Sequence, residues 1–411
     1  MKTHTKKFET HAEYDAYVES HNYVKPNVSY ITDTDEVIYA ADTDNILTFI
    51  AAEAQSTIMM TKVVAGSTYT IADPDLEYST NYGTTWNTYE LDQVITLNLG
   101  DSVKFRGTNT KFSGGYNGVD DTAYHKFVMT GKFRCQGDIT SLLNETGGNV
   151  ALTGTFTFFR LFFDCTSLLN TPNLPSTTLA DHCYRHMFKG CTSITTMPIL
   201  PATTLKQYCY QCMFEGCSSF VNVGTLPALT MLTASYSYMF NGTAIKTAPV
   251  LPATTLASDC YKYMFLGCIK LTTAPSLPAT TLAASCYYSM FQGCTKLEYP
   301  MTELPATTLK ADCYRSMFYG CTSLLESPII RATTTTTRSL YQMFNGCSNL
   351  IEVTCLLTSI SGTNPLYNWM TNTPNTATNH GTFYKAASMS SWPSSNSGIP
   401  TNWNVVDYSG S

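Results

Sequence analysis

The chain contains 411 residues, of which 44% are hydrophobic and only 13% charged, and its formal net charge is −6. Ordinary globular proteins carry about 25% charged residues. The composition therefore excludes a chain kept disordered by charge repulsion, and it argues against nucleic-acid binding, which needs Lys and Arg clustered on one face.

Residues 1–45 begin the chain with a polar segment. His4 and Glu9 lie where the apolar core of a secretory signal peptide would be, so we predict no signal peptide. The pattern indicates a short helix over residues 10–21 and an extended piece over residues 27–39. No apolar run in the chain reaches the ~18 residues of a membrane-spanning helix, so we also expect no membrane span.

Residues 46–150 show a β pattern. Short β-favouring runs alternate with Gly, Pro, Asp and Asn, which predicts a small all-β domain of sandwich type. The runs cover residues 57–60, 63–64, 67–71, 94–99 and 102–105.

Within this region, residues 79–86 (STNYGTTW) resemble the Asp-box hairpin of sialidases and other sugar-active proteins, with Asn81 where that motif prefers Asp. One reading is a structural hairpin with a turn at Gly83 and a buried Trp86. The other is a trace of glycan-related ancestry, which would make the chain a glycan hydrolase.

From residue 151 onward the sequence repeats with a period of about 26 residues. The motif LPATTL, or a close variant, keeps the same step as a Met-Phe pair. A period of 20 to 29 residues lies in the leucine-rich-repeat range. The Met-Phe pairs begin at Met187, Met213, Met239, Met264, Met290, Met317 and Met343, and the LPATTL motifs at Leu174, Leu200, Leu226, Leu251, Leu277 and Leu304.

One unit predicts a strand, a loop and a helix. Leu256, Cys260 and Met264 are four residues apart and would form one apolar helical stripe, with Thr254 or Thr255 as its cap. Gly267 would end the helix with a positive φ, as would its equivalents in other units and Asn372 in the last one. Because strands lie ~4.8 Å apart and helices 8–10 Å, we expect the stack to bend into an arc with its strands on the concave side.

The predicted fold class is therefore an α/β solenoid, a curved leucine-rich-repeat array of about nine 26-residue coils preceded by the small all-β domain. The array covers residues 151–375, and residues 376–411 form a C-terminal cap. Residues 161–165 and 369–373 match the repeat only loosely, as the end units of a stacked array often do.

Most of the fifteen cysteines recur at two fixed places, four residues before and four after the repeated Met. On helices 8–10 Å apart, equivalent cysteines could not form disulfides. We therefore interpret them as buried free thiols that pack as small hydrophobes.

The sequence offers little catalytic chemistry, and we expect no enzymatic activity, no cofactor and no metal. Cys209 and Cys212 form a lone CxxC without a second ligand pair. His182 and His186 lie four residues apart, but no Glu stands between them as in HExxH. No nucleotide-binding or nucleophile-elbow motif occurs in a strand-to-helix context.

The positions that vary between coils are the candidate binding residues. Polar and aromatic groups at regular spacing on a rigid array suit recognition of an extended partner, including a glycan. The alternative is a threonine ladder that only supports the sheet. The candidates are Thr195, Thr196, Thr272, Thr273, Glu298 and Tyr299 on the strand side, and Tyr238 and Tyr263 on the helix side.

The unit CYxxMFxGCTSLTTAPxLPATTL resembles the BspA-like (Treponema-type) leucine-rich repeats of surface proteins of Bacteroides and of proteins of their phages. The resemblance covers about residues 155–390, and residues 381–385 and 397–407 look like the closing segment of such arrays. It implies an adhesin or fibre and carries over no catalytic residue.

Residues 8–17 and 26–39 are similar to the leader of virion-associated proteins of Bacteroides phages, including the crAss-like group. This similarity implies an N-terminal segment, within residues 1–45, that docks on other virion proteins. It favours a phage structural protein, a head or tail fibre whose repeats contact a host glycan or protein, with location in the virion. The alternative is a bacterial cell-surface adhesin. By analogy with fibres, we expect a homo-oligomer.

Overall fold

The computed structural model describes residues 29–31, 37–39, 44–66, 69–116, 122–394 and 397–410. The helix predicted over residues 10–21 lies outside these ranges. Strands β1 (Ser29–Ile31) and β2 (Val37–Tyr39) form an antiparallel pair within the predicted extended piece.

Nine strands between residues 47 and 136 form two antiparallel sheets, with the strand orders β7-β4-β10-β9 and β11-β3-β8-β5-β6. Phe49, Phe105 and Phe127 are fully buried, and their rings lie 5.0–6.0 Å apart. Tyr69, Thr70 and Ile71 form no strand, although they belong to a predicted β run. The strands are β3 (Leu47–Ala51), β4 (Ser56–Ala65), β5 (Leu76–Ser79), β6 (Asn87–Thr88), β7 (Ile95–Leu97), β8 (Ser102–Gly107), β9 (Ser113–Tyr116), β10 (Thr122–Thr130) and β11 (Phe133–Gln136).

The repeat stack continues directly from β11. Phe133 bridges to Leu168 in parallel, and the ring of Phe127 stacks on that of Phe162 at 5.3 Å. The short helix α1 (Ser141–Asn144) lies between β11 and the repeats and is the only α-helix in the described part of the chain. The first coil therefore shares its core with the antiparallel sheets.

One edge of the repeats is built from parallel strand pairing. In the C-terminal half, five strands pair in chain order, and upstream the same edge is held by single parallel bridges such as Thr196 to Asn222 and Thr247 to Thr273. The chain is thus a β-rich, nearly helix-free repeat protein. The strands are β12 (Glu303–Leu304), β13 (Ile329–Ile330), β14 (Glu352–Cys355), β15 (Thr382–Lys385) and β16 (Asn404–Asp407).

The helix predicted in each coil is wrong. Residues 181–190 and their equivalents, which we name the turn segments, are successive turns. Every fourth residue has a positive φ, as at His182 (58°), His186 (56°) and Gly190 (77°). The positive φ predicted at the glycines and at Asn372 is confirmed, but it belongs to a repeating turn and not to a helix end.

Backbone hydrogen bonds explain why the turns are stable. His186 N–H donates to the carbonyl of Gln211 in the next coil at 2.9 Å, whereas Met187 N–H donates to Tyr184 three residues back at 3.2 Å. This alternation leaves few backbone groups unpaired. The mismatch between strand and helix spacing, on which the predicted arc depended, is therefore absent.

The core between the two backbone edges consists of columns of identical side chains. The tyrosine rings stack 5.7–6.0 Å apart, and the phenylalanine rings 5.5–6.1 Å apart. Offset stacks of this kind add to the apolar burial. The columns are Tyr184, Tyr210, Tyr236, Tyr261, Tyr287 and Tyr314, and Phe188, Phe214, Phe240, Phe265, Phe291, Phe318 and Phe344.

The predicted burial of the cysteines is confirmed, since all fifteen are buried and carry free thiols. The geometric reason given for it is wrong, because the coils are not separated by the width of a helix. The thiols instead act as donors between coils: Cys217 Sγ donates to the carbonyl of Phe188 at 3.0 Å. Thr243 occupies the same column, and its hydroxyl donates to Phe240 at 2.8 Å.

Candidate binding surface

The six predicted strand-side residues lie on the parallel strand edge. Thr195, Thr196, Thr273, Glu298 and Tyr299 are exposed, whereas Thr272 is half-buried. The Thr272 carbonyl accepts hydrogen bonds from the N–H groups of Glu298 at 3.1 Å and Tyr299 at 3.2 Å. The fold thus brings Thr272, Thr273, Glu298 and Tyr299 together, while Thr195 and Thr196 lie in a different coil.

The coil that carries Tyr299 is one residue longer than its neighbour. Six residues separate Leu297 from Leu304, whereas five separate Leu271 from Leu277. A shallow cleft of ≈ 600 Å³ lies between these two coils, at the place of the extra residue. Its lining comprises Ala274, Ser276, Leu277, Pro278, Pro300, Met301, Thr302, Glu303 and Pro305.

Tyr299 stands beside the cleft with 62% of its surface exposed. At the cleft wall, Arg331 Nε donates to Glu303 Oε2 at 2.7 Å, and both side chains remain partly exposed. The lining is mixed, with the apolar side chains of Leu277 and Met301 beside the carboxylate of Glu303. Such a mixture of apolar surface and a few polar groups can bind a small polar ligand.

The two predicted helix-side residues, Tyr238 and Tyr263, lie in turn segments and not at the strand edge. Their rings stack at 4.5 Å, and Tyr263 continues to Tyr288 at 4.9 Å. Burial raises the pKa of Tyr238 to about 12, so its hydroxyl is a neutral group at ordinary pH. The ladder continues through Arg315, whose guanidinium lies 5.1 Å from the centre of the Tyr288 ring.

His182 and His186, the pair that the sequence places four residues apart, have different neighbours in the structure. His182 lies between the rings of Phe156 (4.3 Å) and Tyr208 (4.6 Å). Burial lowers the pKa of His182 to about 4, so its ring is neutral. This histidine therefore belongs to an aromatic stack.

His186 comes together with Cys212 and Glu215, whose ligand atoms lie within 4.8 Å of one another. The surroundings do not fit a cation, because Arg160 Nε donates to His186 Nδ1 at 3.4 Å and Lys189 pairs with Glu215 at 2.9 Å. Burial, followed by the nearby cationic side chains, lowers the pKa of His186 well below its usual value. A metal ion would have to displace both cationic partners.

The two cysteines of the lone CxxC, Cys209 and Cys212, lie in different surroundings. Cys209 lies in the core column, and Cys212 occupies the outward position equivalent to His186 and Tyr238. Burial raises the pKa of Cys209 to about 12 and that of Cys212 well above its usual value. Neither thiol is a reactive thiolate at neutral pH.

The Asp-box-like segment forms the predicted hairpin between β5 and β6. Asn81 Oδ1 accepts a hydrogen bond from Thr85 N–H at 3.0 Å, and Gly83 at the turn has a φ of +85°. Trp86 is only half-buried and packs under Arg106, whose guanidinium lies 4.0 Å from the ring centre. These contacts stabilise the hairpin.

A double row of threonines was missed as a surface feature, because the Thr pair of LPATTL was interpreted as a helix cap. The pairs instead form a ladder, as shown by the parallel bridges Thr204 to Thr230 and Thr255 to Thr281. The β preference of adjacent threonines was the available signal. The exposed members are Thr177, Thr178, Thr203, Thr204, Thr230, Thr254, Thr255, Thr280, Thr281, Thr307, Thr308, Thr333 and Thr358.

No helix in the described residues combines the length and apolar character needed to cross a bilayer. Comparison with curated proteins and with solved structures gives no significant match. Comparison with protein families matches the BspA type leucine-rich repeat region over residues 159–272 and 258–368, in six copies. These ranges span about half of the chain and coincide with the stacked coils. The chain therefore belongs to the BspA-type leucine-rich-repeat family.

Proposed function

We propose that the chain is a non-enzymatic structural protein of a phage virion, a head or tail fibre whose repeats present a surface to a host glycan or protein. In this proposal the repeats form a solenoid of about nine coils over residues 151–375, and the segment before residue 46 docks on other virion proteins. The alternative is a bacterial cell-surface adhesin.

Family membership supports both forms of the proposal. A BspA-type region suggests a surface or adhesion-type repeat protein, and leucine-rich repeats generally mediate protein interactions. The phage form rests on the similarity of residues 8–17 and 26–39 to virion-protein leaders. Those residues lie mostly outside the described part of the chain, so the similarity is one of sequence.

The cleft beside Tyr299 is the observation that carries the binding proposal. It arises where one extra residue interrupts an otherwise regular array, so it is not a requirement of the repeat. A sugar ring can pack its C–H face on Tyr299 while its hydroxyls bond to Glu303 and Arg331, which offer planar acceptors and donors. A neutral glycan fits best, because Glu303 and Arg331 neutralise each other.

Binding of the purified chain to a glycan array tests the cleft. We expect Tyr299→Ala to weaken binding to the retained glycans by roughly tenfold or more, as truncation of an aromatic hot spot does. Tyr319→Ala is the matched control, because Tyr319 is also exposed but lies in a turn segment. Equal binding by the wild type and Tyr299→Ala would reject the cleft as the site.

Mass spectrometry distinguishes location in the phage virion from location on the bacterial cell surface. The virion proposal predicts peptides of this chain in purified phage particles, in a constant ratio to a capsid protein. Protease shaving of intact bacterial cells would instead release its peptides if the chain is an adhesin. Absence from particles together with release from cells would overturn the phage form of the proposal.

A further inference from the structure

Strand β16 (Asn404–Asp407) forms the outer edge of the five-stranded parallel sheet. One side pairs with β15, and no residue in the described ranges pairs with the other side. All four residues of the strand are exposed, Val405 by 49% and Val406 by 44%. β16 contains no Pro, no Lys and no bulge, which are three of the devices with which folded proteins interrupt such an edge.

The backbone direction identifies the groups that face outward. Asn404 N–H donates to Gly381 at 3.0 Å and Tyr408 N–H donates to Lys385 at 2.8 Å, so residues 404, 406 and 408 point towards β15. Alternate residues of a strand point in opposite directions within the sheet. The N–H and C=O groups of Val405 and Asp407 therefore point away from the sheet.

We infer that this edge binds a second copy of the same chain, with the two β16 strands antiparallel and related by a twofold axis at Val406. Val405 then lies opposite the partner's Asp407, and Asp407 opposite the partner's Val405. Each pair exchanges two backbone hydrogen bonds. The four outward donors and acceptors of each copy are all satisfied.

The two neighbouring antiparallel registers are less favourable. An axis at Val405 would place Asp407 opposite the partner's Trp403, whose N–H is already bonded to Pro400 at 3.1 Å. An axis at Asp407 would place two carboxylates directly opposite each other, which is unfavourable. The register at Val406 avoids both problems.

The side chains of this register are also self-complementary, which favours a second copy over an unrelated strand. Val406 packs on the partner's Val406, and Asn404 lies beside the partner's Tyr408. On the other face, Asp407 lies beside the partner's Val405 while it keeps its ion pair with Lys385 of its own chain. No like charges meet.

A proline substitution tests the backbone bonds. Val405→Pro removes an outward N–H that the chain itself does not use, so β16 should stay paired with β15. Val405→Ala is the control, because it keeps the N–H and removes side-chain surface. Because the edge is short, we expect weak association, seen by sedimentation as a dimer population that rises with protein concentration.

The expected result is a concentration-dependent dimer for the wild type and Val405→Ala, and a monomer for Val405→Pro with an unchanged circular dichroism spectrum. A monomeric wild type at all concentrations would overturn the inference. Equal association of Val405→Pro and the wild type would overturn it as well.

A cysteine substitution tests the register in the same full-length chain. Because all fifteen native thiols are buried, a single surface cysteine should dominate cross-linking under mild oxidation. Val406→Cys places two thiols opposite each other in a non-hydrogen-bonded pair, where Cα atoms are ~4.5 Å apart and a disulfide can form. In the same register, the thiols introduced by Val405→Cys lie opposite the Asp407 position of the other copy and not opposite each other. This variant should therefore cross-link at least about tenfold more slowly. Equal or reversed rates would contradict the register, and neither result depends on glycan binding.

Discussion

At the scale of single residues, the thiols show how closely the repeats are packed. Cys191 and Cys217 each donate to a phenylalanine carbonyl of the preceding coil, at 2.9 and 3.0 Å. Such a bond requires the protonated thiol. Burial accordingly raises the pKa of Cys217 to about 12, far above the usual value near 9.

This raised pKa predicts alkaline unfolding. Below pH 9 the thiols are protonated in both states, and their contribution to the free energy of unfolding is fully present. Between pH 9 and about 12 only the unfolded chain loses the proton of Cys217. Each such thiol then lowers the free energy of unfolding by up to roughly 1.4 kcal/mol per pH unit. Circular dichroism should show cooperative unfolding in this window.

Thiolate absorbance, recorded in the same titration, separates this cause from the ionisation of surface tyrosines and lysines. It should rise together with unfolding and not before it. A folded chain whose thiols ionise gradually from pH 9 would contradict the prediction. Cys217→Thr provides a control, since Thr243 shows that the column accepts a hydroxyl.

At the scale of elements, the sequence predicted which residues face the core but not the backbone that carries them. Leu256, Cys260 and Met264 are buried as predicted, yet they lie on or beside turns. A period of four residues is close to the 3.6 of a helix, so one unit cannot distinguish the two. The last unit holds the discriminating signal: Asn364, Asn368 and Asn372 all have a positive φ, which Asn tolerates better than most residues.

Gln342 gives a direct test of the turn segment, because it is a good helix former with a φ of 52°. In a helix, Gln342→Gly would cost about 1 kcal/mol of stability. In the observed turn the same change should be neutral or stabilising, because Gly carries no Cβ penalty at positive φ. Gln342→Val should destabilise the chain by about 1–2 kcal/mol, since a β-branched residue is worst there.

Urea unfolding of the two variants beside the wild type measures these differences. If the segment is a turn, Gln342→Gly should have at least the free energy of unfolding of the wild type, and Gln342→Val the lowest of the three. The opposite order for Gly, with Val close to the wild type, would restore the helix as the correct description of this segment.

At the scale of the whole molecule, the 26-residue period of the sequence predicted that the coils stack. The cleft, in contrast, lies where one coil departs from that period by one residue. The strand-side position of Glu298 and Tyr299 could be predicted because the repeat fixes which residues share an edge. The cleft could not, since it depends on how the coils accommodate one extra residue before Leu304. The arc that we predicted has lost its basis, because it depended on a helix that the described part of the chain does not form.

Deletion of one whole coil tests whether the stack is held together by neighbour contacts alone. Removing residues 201–226 joins Leu200 to Pro227 and restores the Leu-Pro motif in register. Tyr184 would then stack on Tyr236, so we expect a folded chain with a lower free energy of unfolding and a smaller urea m-value, since both scale with the stacked surface. The cleft beside Tyr299 lies outside the deletion, so glycan binding should be unchanged.

Removing residues 201–213 is the matched control, because half a coil places the strand edge of one unit against the turn segment of the next. The tyrosine and phenylalanine columns would be broken. The N–H of His186, which donates to the carbonyl of Gln211 in the next coil, would lose its acceptor. We therefore expect this variant to lose cooperative unfolding. If the half-coil deletion folds as well as the whole-coil deletion, contacts between neighbouring coils do not determine the fold.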